Sequence, residues 1–167
     1  MKILGVDPGV NRVGYGLVEG SERSQTVLRS GAIVPAAGAS YEKKILAIIE
    51  KFDVLMDETA PDIVAVEEIY LGKNVRIALK IGQVTGVIIG SAIRKGTGFC
   101  LLPAREIKQS ITGQGSATKE QVQFMIEHMT GHKGFKSLDE SDAVAAAVAY
   151  LHYKKEHDLL HSGQTGL

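Results

Sequence analysis

The sequence predicts an α/β fold, in which a mixed five-stranded sheet carries helices on both faces. Three short strand-like runs come first along the chain, at 3–6, 14–18 and 26–34, and their close spacing is typical of an antiparallel meander. Helical and strand-like segments then alternate, which favours parallel strands joined through helices. With 167 residues, 44% of them hydrophobic, the chain has the size and composition of one domain with its own core.

The later elements follow from local patterns. Apolar residues at helical spacing predict a helix over 41–56, and a β-branched run predicts a buried strand at 63–66. Further elements are expected as a helix over 75–94, a strand at 99–102, and helices at 105–111, 118–129 and about 138–155, with a Gly/Ser loop at 113–116. Residues 1–157 are therefore expected to form a single domain, and 158–167 a flexible C-terminal tail.

Composition excludes several classes of protein. The lone Cys100 rules out a disulfide framework and paired-cysteine metal sites. An acid at position 7 comes too early for a signal peptide, and no apolar run approaches the roughly 20 residues that cross a bilayer. We therefore expect a soluble, cytoplasmic protein without a membrane partner.

Charge is balanced overall but uneven along the chain. Nineteen basic and nineteen acidic side chains cancel, yet the segment 73–119 holds eight bases and one acid. The bases are Lys73, Arg76, Lys80, Arg94, Lys95, Arg105, Lys108 and Lys119, and the acid is Glu106. This pattern fits either one basic surface for a polyanion or ordinary surface scatter, and charge alone does not decide between them.

The helix expected over 75–94 carries glycine every fourth residue. Gly82, Gly86 and Gly90 each cost about 1 kcal/mol relative to alanine in a helix, and together they form a smooth strip. Apolar residues occupy most other directions, so this helix needs cover on two sides. The cover is either the rest of the same chain or a second copy, and we expect a homodimer contact.

Acidic side chains lie where two strands end. Asp7 closes the first strand at a Pro-Gly turn, and Glu67 and Glu68 follow the strand at 63–66. Because successive strand side chains point to opposite faces, at most one of these two glutamates shares the side of Asp7. Without a ligand, Asp7 would be an ordinary turn residue and the glutamates a solvated strand end.

Two more acids occur in the first turn of the last helix. Ser137 and Glu140 match a capping box that starts this helix, and Asp139 and Asp142 lie three residues apart on one of its faces. The helix dipole alone would favour acids there. However, the alanine-rich run 143–149 lets the helix lie close to the sheet, which would hold both aspartates near it.

Convergence of these acids would create a cation site. Like charges about 4 Å apart repel by about 4 kcal/mol at an effective dielectric constant of 20, so a counter-charge is required. Oxygen ligands without a neighbouring histidine or thiol suit Mg²⁺ or Mn²⁺. Two such ions beside a basic surface are typical of a nuclease.

Five blocks of sequence, in order, resemble the RuvC family of Holliday junction resolvases. They are ILGVDPGVNRVGYG at 3–16, VEEIYLGKN at 66–74, ALKIGQVTG at 78–86, KQSITGQGSATKEQV at 108–122 and DESDAVAAA at 139–147. The opening D-P-G is weak by itself, but five blocks with family-like spacing cover nearly the whole chain.

The resemblance implies a ribonuclease H-like nuclease domain that acts as a homodimer and cuts four-way DNA junctions with two Mg²⁺ ions per active site, for which Mn²⁺ can substitute. It implies paired symmetric nicks, 5′-phosphate and 3′-hydroxyl ends, a role in recombination and repair, and the branch-migration partners RuvA and RuvB. By motif position it assigns the catalytic metal ligands to Asp7, Glu67, Asp139 and Asp142. The implied DNA contacts are Tyr70, Lys73, Arg76, Lys108 and Lys119, and Tyr70 stands where phenylalanine is the familiar residue.

Two other functions compete with this interpretation. The opening D-P-G is also similar to the phosphate loop of actin-like ATPases and sugar kinases, but those enzymes close a second domain over the nucleotide. A binding module that holds junctions without cutting them would not need all four acids. Stabilisation by Mg²⁺ or Mn²⁺ alone would favour the nuclease, and stabilisation by nucleotide the ATPase.

Overall fold

A computed structural model of the protein describes residues 1–68 and 74–162, with side chains described as far as residue 153. Five strands and five helices follow one another in this part of the chain. In order they are β1 (Lys2–Asp7), β2 (Val13–Ser21), β3 (Ser24–Ile33), α1 (Tyr41–Thr59), β4 (Ile63–Glu68), α2 (Val75–Arg94), β5 (Gly98–Pro103), α3 (Ala104–Thr112), α4 (Lys119–Thr130) and α5 (Leu138–Ser162).

The five strands form one mixed sheet in the order β3-β2-β1-β4-β5. Strands β1, β2 and β3 pair antiparallel, as the expected meander requires, whereas β4 pairs parallel to both β1 and β5. The predicted fold class is therefore confirmed. Its consequence for the site is that β1 and β4 end side by side at one edge of the sheet.

Each face of the sheet has its own apolar core. Leu4, Val6, Val64 and Val66 pack with α1 and α2 on one face. Their neighbours in the sequence, such as Ile3 and Ala65, pack with α3, α4 and α5 on the other. This alternation is the period of two expected for strands that are buried on both faces.

Helix α5 lies directly on the sheet because small residues line both sides of the contact. Residues 143–149 of α5 are fully buried. A Cβ added at Gly5 would overlap the carbonyl oxygen of Ala143, and one at Gly14 would overlap that of Asp139. Two glycines in neighbouring strands therefore set how close the first turns of α5 come to the sheet.

We expect Gly5→Ala to unfold the protein or to lower its free energy of unfolding by about 3 kcal/mol or more, since overpacking against backbone cannot be relieved by a rotamer change. The new Cβ would also lie 2.8 Å from the backbone nitrogen of Ala147. Chemical denaturation measures the effect. Gly90→Ala is the matched control, since a Cβ there meets nothing within 4 Å. Equal stability of Gly5→Ala and the unsubstituted protein would contradict this account of the contact.

Both ends of α5 differ from expectation. The predicted capping box is wrong: the Ser137 hydroxyl is buried without a hydrogen-bond partner in the described part of the chain. The Glu140 carboxylate instead accepts weak hydrogen bonds of 3.4 Å from the Lys136 backbone and the Ser30 hydroxyl. At the other end α5 continues to Ser162 rather than to about residue 155, because no glycine or proline occurs before Gly163. The flexible tail at 158–167 stays a prediction; 158–162 continue α5, and 163–167 lie outside the described residues.

Helix α2 is long and apolar enough to cross a membrane by length and composition, a test that core helices of soluble proteins also pass. Counting uninterrupted apolar runs missed it, since Arg76 and Lys80 interrupt its first turns. In the described structure α2 packs through Val84, Ile88 and Ala92 against the sheet and α1.

Candidate metal centre

Three carboxylates meet at the edge where β1 and β4 end. Asp7, Glu67 and Asp142 each offer an oxygen atom, and these atoms lie within 4.8 Å of one another. Strand β1 runs parallel to β4 with Gly5 beside Ala65, and both of these residues face α5. Two residues further on, Asp7 and Glu67 share that face, whereas Glu68 points to the opposite one.

The start of α5 supplies the third carboxylate, Asp142, just after the first helical turn. Asp142 is only 7% exposed, because the close contact of α5 with the sheet holds it over the strand ends. Asp139 lies one turn earlier but outside the 4.8 Å group, and its carboxylate pairs with the Arg12 guanidinium at 3.3 Å. The structure thus brings three of the four expected ligands together and places the fourth at their margin.

Burial and repulsion from neighbouring acids raise the pKa of each carboxylate in the cluster. Burial, followed by the charge of Glu67, raises the pKa of Asp7 from 3.8 to about 7. Burial and the charge of Asp142 raise the pKa of Glu67, and burial raises the pKa of Asp142. All three carboxylates therefore hold protons more strongly than they would in water.

Lys119, the first residue of α4, partly neutralises the cluster. Its ammonium donates a hydrogen bond to Asp142. Burial lowers the pKa of Lys119, but this hydrogen bond and the charges of the three carboxylates outweigh burial and raise it. A capping box formed by Thr118 and Gln121 starts α4 and fixes where Lys119 stands. The Lys119 ammonium therefore lies where it can neutralise either the carboxylates or the phosphate of a substrate.

The other residues expected to contact DNA are distributed unevenly. Lys108 on α3 is half-buried, and its charge acts on Glu67 and Asp142. Arg76 is exposed in the first turn of α2. Tyr70 and Lys73 lie outside the described residues.

The basic segment does not form a single surface. Arg94 pairs with Asp53 and Lys95 with Asp57, which ties the end of α2 to α1. A helix rises about 1.5 Å per residue, so Arg94 lies roughly 27 Å along α2 from Arg76. Only some bases of the segment 73–119 can therefore bind DNA beside the carboxylates.

The donor set fits a hard divalent cation. All three clustered groups are carboxylates, which suit Mg²⁺ and Mn²⁺ rather than softer metals. Their separation allows one ion to contact all three. The charge of Asp139 raises the pKa of Asp7 and of Asp142, so Asp139 lies near enough to act on the cluster electrostatically.

A cleft of about 640 Å³ opens beside the cluster. We call it the loop cleft, because the connection between β1 and β2 forms one wall. It is lined by Asp7, Pro8, Gly9, Val10, Asn11, Arg12, Ala39, Tyr41, Lys44, Ile77, Lys80, Ile81 and Asp139. Its volume lies within the range of about 300–1,000 Å³ that is common for ligand sites.

Sequence reasoning missed two parts of this site. The pairing of Arg12 with Asp139 joins residues 127 positions apart, and no local pattern indicates it. The loop cleft draws on four separate parts of the chain, 7–12, 39–44, 77–81 and Asp139. Of its charged residues, sequence reasoning singled out Asp7 and Asp139 as ligands and Lys80 as one base of the basic segment, but not Lys44.

Comparison with known proteins confirms the resemblance. The family model described as "Crossover junction endodeoxyribonuclease RuvC" matches residues 3–150. Proteins of that name from Trichlorobacter lovleyi and Legionella pneumophila strain Corby are 39% and 37% identical to this chain. The alignments cover 90% and 91% of this chain and 85% and 87% of those proteins.

Solved structures agree on the fold. Thermus thermophilus RuvC in complex with a Holliday junction substrate superposes with a TM-score of 0.87 at 24% identity, over 94% of this chain and 96% of that one. The yeast mitochondrial Holliday junction resolvase Ydc2 superposes with a TM-score of 0.67 at 11% identity, over 94% and 80% of the two chains. The fold is thus ribonuclease H-like, as expected, and the chain belongs to the family of crossover junction endodeoxyribonucleases named RuvC.

Proposed function

We propose that this crossover junction endodeoxyribonuclease cuts Holliday junctions at the cluster of Asp7, Glu67 and Asp142, with Asp139 as the fourth ligand of two Mg²⁺ ions. The observation that carries the assignment is the convergence of three carboxylate oxygens within 4.8 Å at the ends of β1, β4 and the start of α5. Family membership supplies the reaction class, and the donor chemistry favours Mg²⁺, with Mn²⁺ as a substitute.

The side chains divide the work between metal and phosphate. When bound, the ions make water a nucleophile at neutral pH and stabilise the departing oxygen. Lys119 and Lys108, beside the acids, would neutralise phosphates of the cut strand. Hydrolysis would bond a water oxygen to phosphorus and break the bond to the 3′ oxygen. The water loses a proton and the 3′ oxygen gains one, which leaves a 5′-phosphate and a 3′-hydroxyl.

Cleavage of a labelled synthetic four-way junction with Mg²⁺, beside linear duplex of the same sequence, tests the proposal. We expect paired symmetric nicks in the junction only. Junction binding without cleavage over several arm sequences, with Mn²⁺ as well, would contradict the catalytic role and favour a binding module.

The two glutamates at the end of β4 should behave differently. Glu67→Gln removes a cluster charge, and we expect it to reduce cleavage by at least about 100-fold, as loss of a metal-ligand charge commonly does. Glu68→Gln is the matched control on the opposite strand face and should cut at close to the normal rate. Junction cleavage rates at saturating Mg²⁺ measure both. Equal loss in the two variants would contradict the assignment.

A homodimer would place two active sites on the two strands that are cut. Helix α2 supports this arrangement, since Leu79 is 64% exposed and Ile93 60% exposed. An added Cβ at Gly86 or Gly90 meets nothing within 4 Å, so the glycine strip is open at these two positions in the described part of the chain. RuvA and RuvB, expected from the resemblance, are proposed as partners in branch migration, and the cytoplasm as the place of action.

Gly82→Leu combined with Gly86→Leu should convert the dimer into a folded monomer, because two leucine side chains would prevent close approach at the strip. Sedimentation velocity measures the mass, and circular dichroism checks that the variant folds. A folded dimer of unchanged mass would show that the strip does not form the interface.

A further inference from the structure

The two lysines that line the loop cleft, Lys44 and Lys80, have neutral partners, whereas Arg12 pairs with Asp139. The Lys44 ammonium donates a 2.7 Å hydrogen bond to the side-chain oxygen of Asn11. The Lys80 ammonium lies 5.2 Å from the centre of the Tyr41 ring. Tyr41 is held in turn by the hydrogen bond that it donates to Gln83. Within the described part of the chain, no carboxylate forms an ion pair with either lysine.

Three other bases near these helices are paired with acids. Arg94 and Lys95, at the far end of α2, each pair with an acid of α1. Arg29, on β3, pairs with Glu58 at the end of α1. The charges of Lys44 and Lys80 are therefore held in place by neutral groups and stay available for an anion.

The position of the loop cleft indicates that the anion bound by Lys44 and Lys80 is a phosphate of the DNA substrate. Helices α1 and α2, which carry Lys44 and Lys80, pack on one face of the sheet, whereas α3 and α4, which carry Lys108 and Lys119, pack on the other. The carboxylates lie where β1 and β4 end, on the face of α5, and Asp7 also lines the loop cleft. A strand whose scissile phosphate reaches the carboxylates would continue past both pairs of lysines.

The wall of the loop cleft suits a nucleotide better than a bare phosphate. Ile77, which is 54% exposed, and Ile81 contribute apolar surface from α2, and Val10 contributes more from the loop. Apolar surface beside ammonium groups can take a base or sugar next to its phosphate. Asp7 and Asp139 also line the loop cleft, so the cleft adjoins the carboxylates.

We propose that the loop cleft binds the nucleotide next to the scissile phosphate, on the side away from Lys108 and Lys119, with the adjoining phosphate on Lys44 and Lys80. The inference rests on the proposed function, because it deepens the description of the same site. It assigns a role in binding the DNA strand to Lys44 and Lys80, which are separate from the four carboxylates and from Lys108 and Lys119.

Binding of a fluorescent four-way junction in EDTA, over a range of salt concentrations, tests the proposal without strand cleavage. The variant Lys44→Gln with Lys80→Gln should bind about tenfold more weakly. Loss of the one phosphate contact that the two lysines share should make the slope of log K against log salt less steep by about 0.9. Lys43→Gln is the matched control, since Lys43 is an exposed neighbour on α1 that does not line the loop cleft.

A second binding experiment determines which nucleotide occupies the loop cleft. Junctions with an abasic site on one or the other side of the scissile phosphate should differ, and only one should bind several-fold more weakly than the intact junction. Binding of the double variant equal to the unsubstituted protein, while Lys108→Gln is weakened, would overturn the loop cleft and leave the nuclease proposal standing. Equal weakening by Lys43→Gln would also overturn it. If no form of the protein binds the junction, both proposals fall.

Discussion

Asp7→Asn is expected to abolish junction cleavage, by about 1,000-fold or more, while it stabilises the metal-free protein at alkaline pH. Asparagine keeps the shape of the side chain but removes the charge that the clustered oxygens offer to a cation. Junction affinity should persist, because the lysines and not Asp7 neutralise phosphate. Cleavage and binding assays on the same junction separate the two effects.

The stability effect follows from the proton that Asp7 holds. Its pKa is raised from 3.8 to about 7 in the folded protein, so between these values the folded state binds more protons than the unfolded chain. The contribution of Asp7 to stability therefore falls as pH rises from about 4 to about 7 and is lost above that. The full shift corresponds to a free energy on the order of 4 kcal/mol.

Thermal unfolding in EDTA at pH 5 and pH 8 measures this contribution. We expect Asp7→Asn to unfold several degrees higher than the unsubstituted protein at pH 8 and to differ little at pH 5. Mg²⁺ or Mn²⁺ should stabilise the unsubstituted protein at pH 8 and stabilise the variant much less. Asp57→Asn, an exposed position on α1 that pairs with Lys95, is the control. A variant that is less stable at pH 8 would contradict the charge repulsion inferred here.

The fold follows from local sequence patterns to a large extent. Strand runs such as 3–6 and 63–66, and the helical spacing over 41–56, correspond to β1, β4 and α1 within a few residues. Periodicity reports burial, and burial on two faces of a sheet produces these patterns directly. The ends of α5 were harder, because capping depends on hydrogen bonds that compete over short distances, as Glu140 and Ser137 show.

The site needed information beyond local pattern. Periodicity alone does not decide whether Glu67 or Glu68 lies on the same face of the sheet as Asp7. The resemblance to the family favours Glu67, and the register of β4 beside β1 places Glu67 on the face of Asp7. The contact of Lys119 with Asp142 depends on how α4 packs against α5, which no spacing in the sequence reveals. Residue types thus predict the chemistry, whereas partners distant in sequence decide how each charge is used.

That contact makes Lys119→Met the second informative substitution. The Lys119 ammonium occupies an oxygen of Asp142, so a divalent cation that uses this oxygen must displace it. A unit charge about 5 Å from the cluster is worth about 3 kcal/mol at an effective dielectric constant of 20. Removing it should therefore strengthen Mn²⁺ binding by at least tenfold, even as junction cleavage falls.

Calorimetric titration with Mn²⁺ measures the affinity, and thermal unfolding in EDTA measures the stability of the metal-free protein. We expect Lys119→Met to unfold at a lower temperature in EDTA, because the three carboxylates lose their counter-charge, and to gain more stability from Mn²⁺. Lys119→Arg, which keeps the charge, should bind Mn²⁺ much as the unsubstituted protein does, and Lys133→Met is an exposed control. If Lys119→Met binds Mn²⁺ equally or more weakly, the lysine supports the metal ligands instead of competing for them, and its hydrogen bond to Asp142 persists when the cation binds.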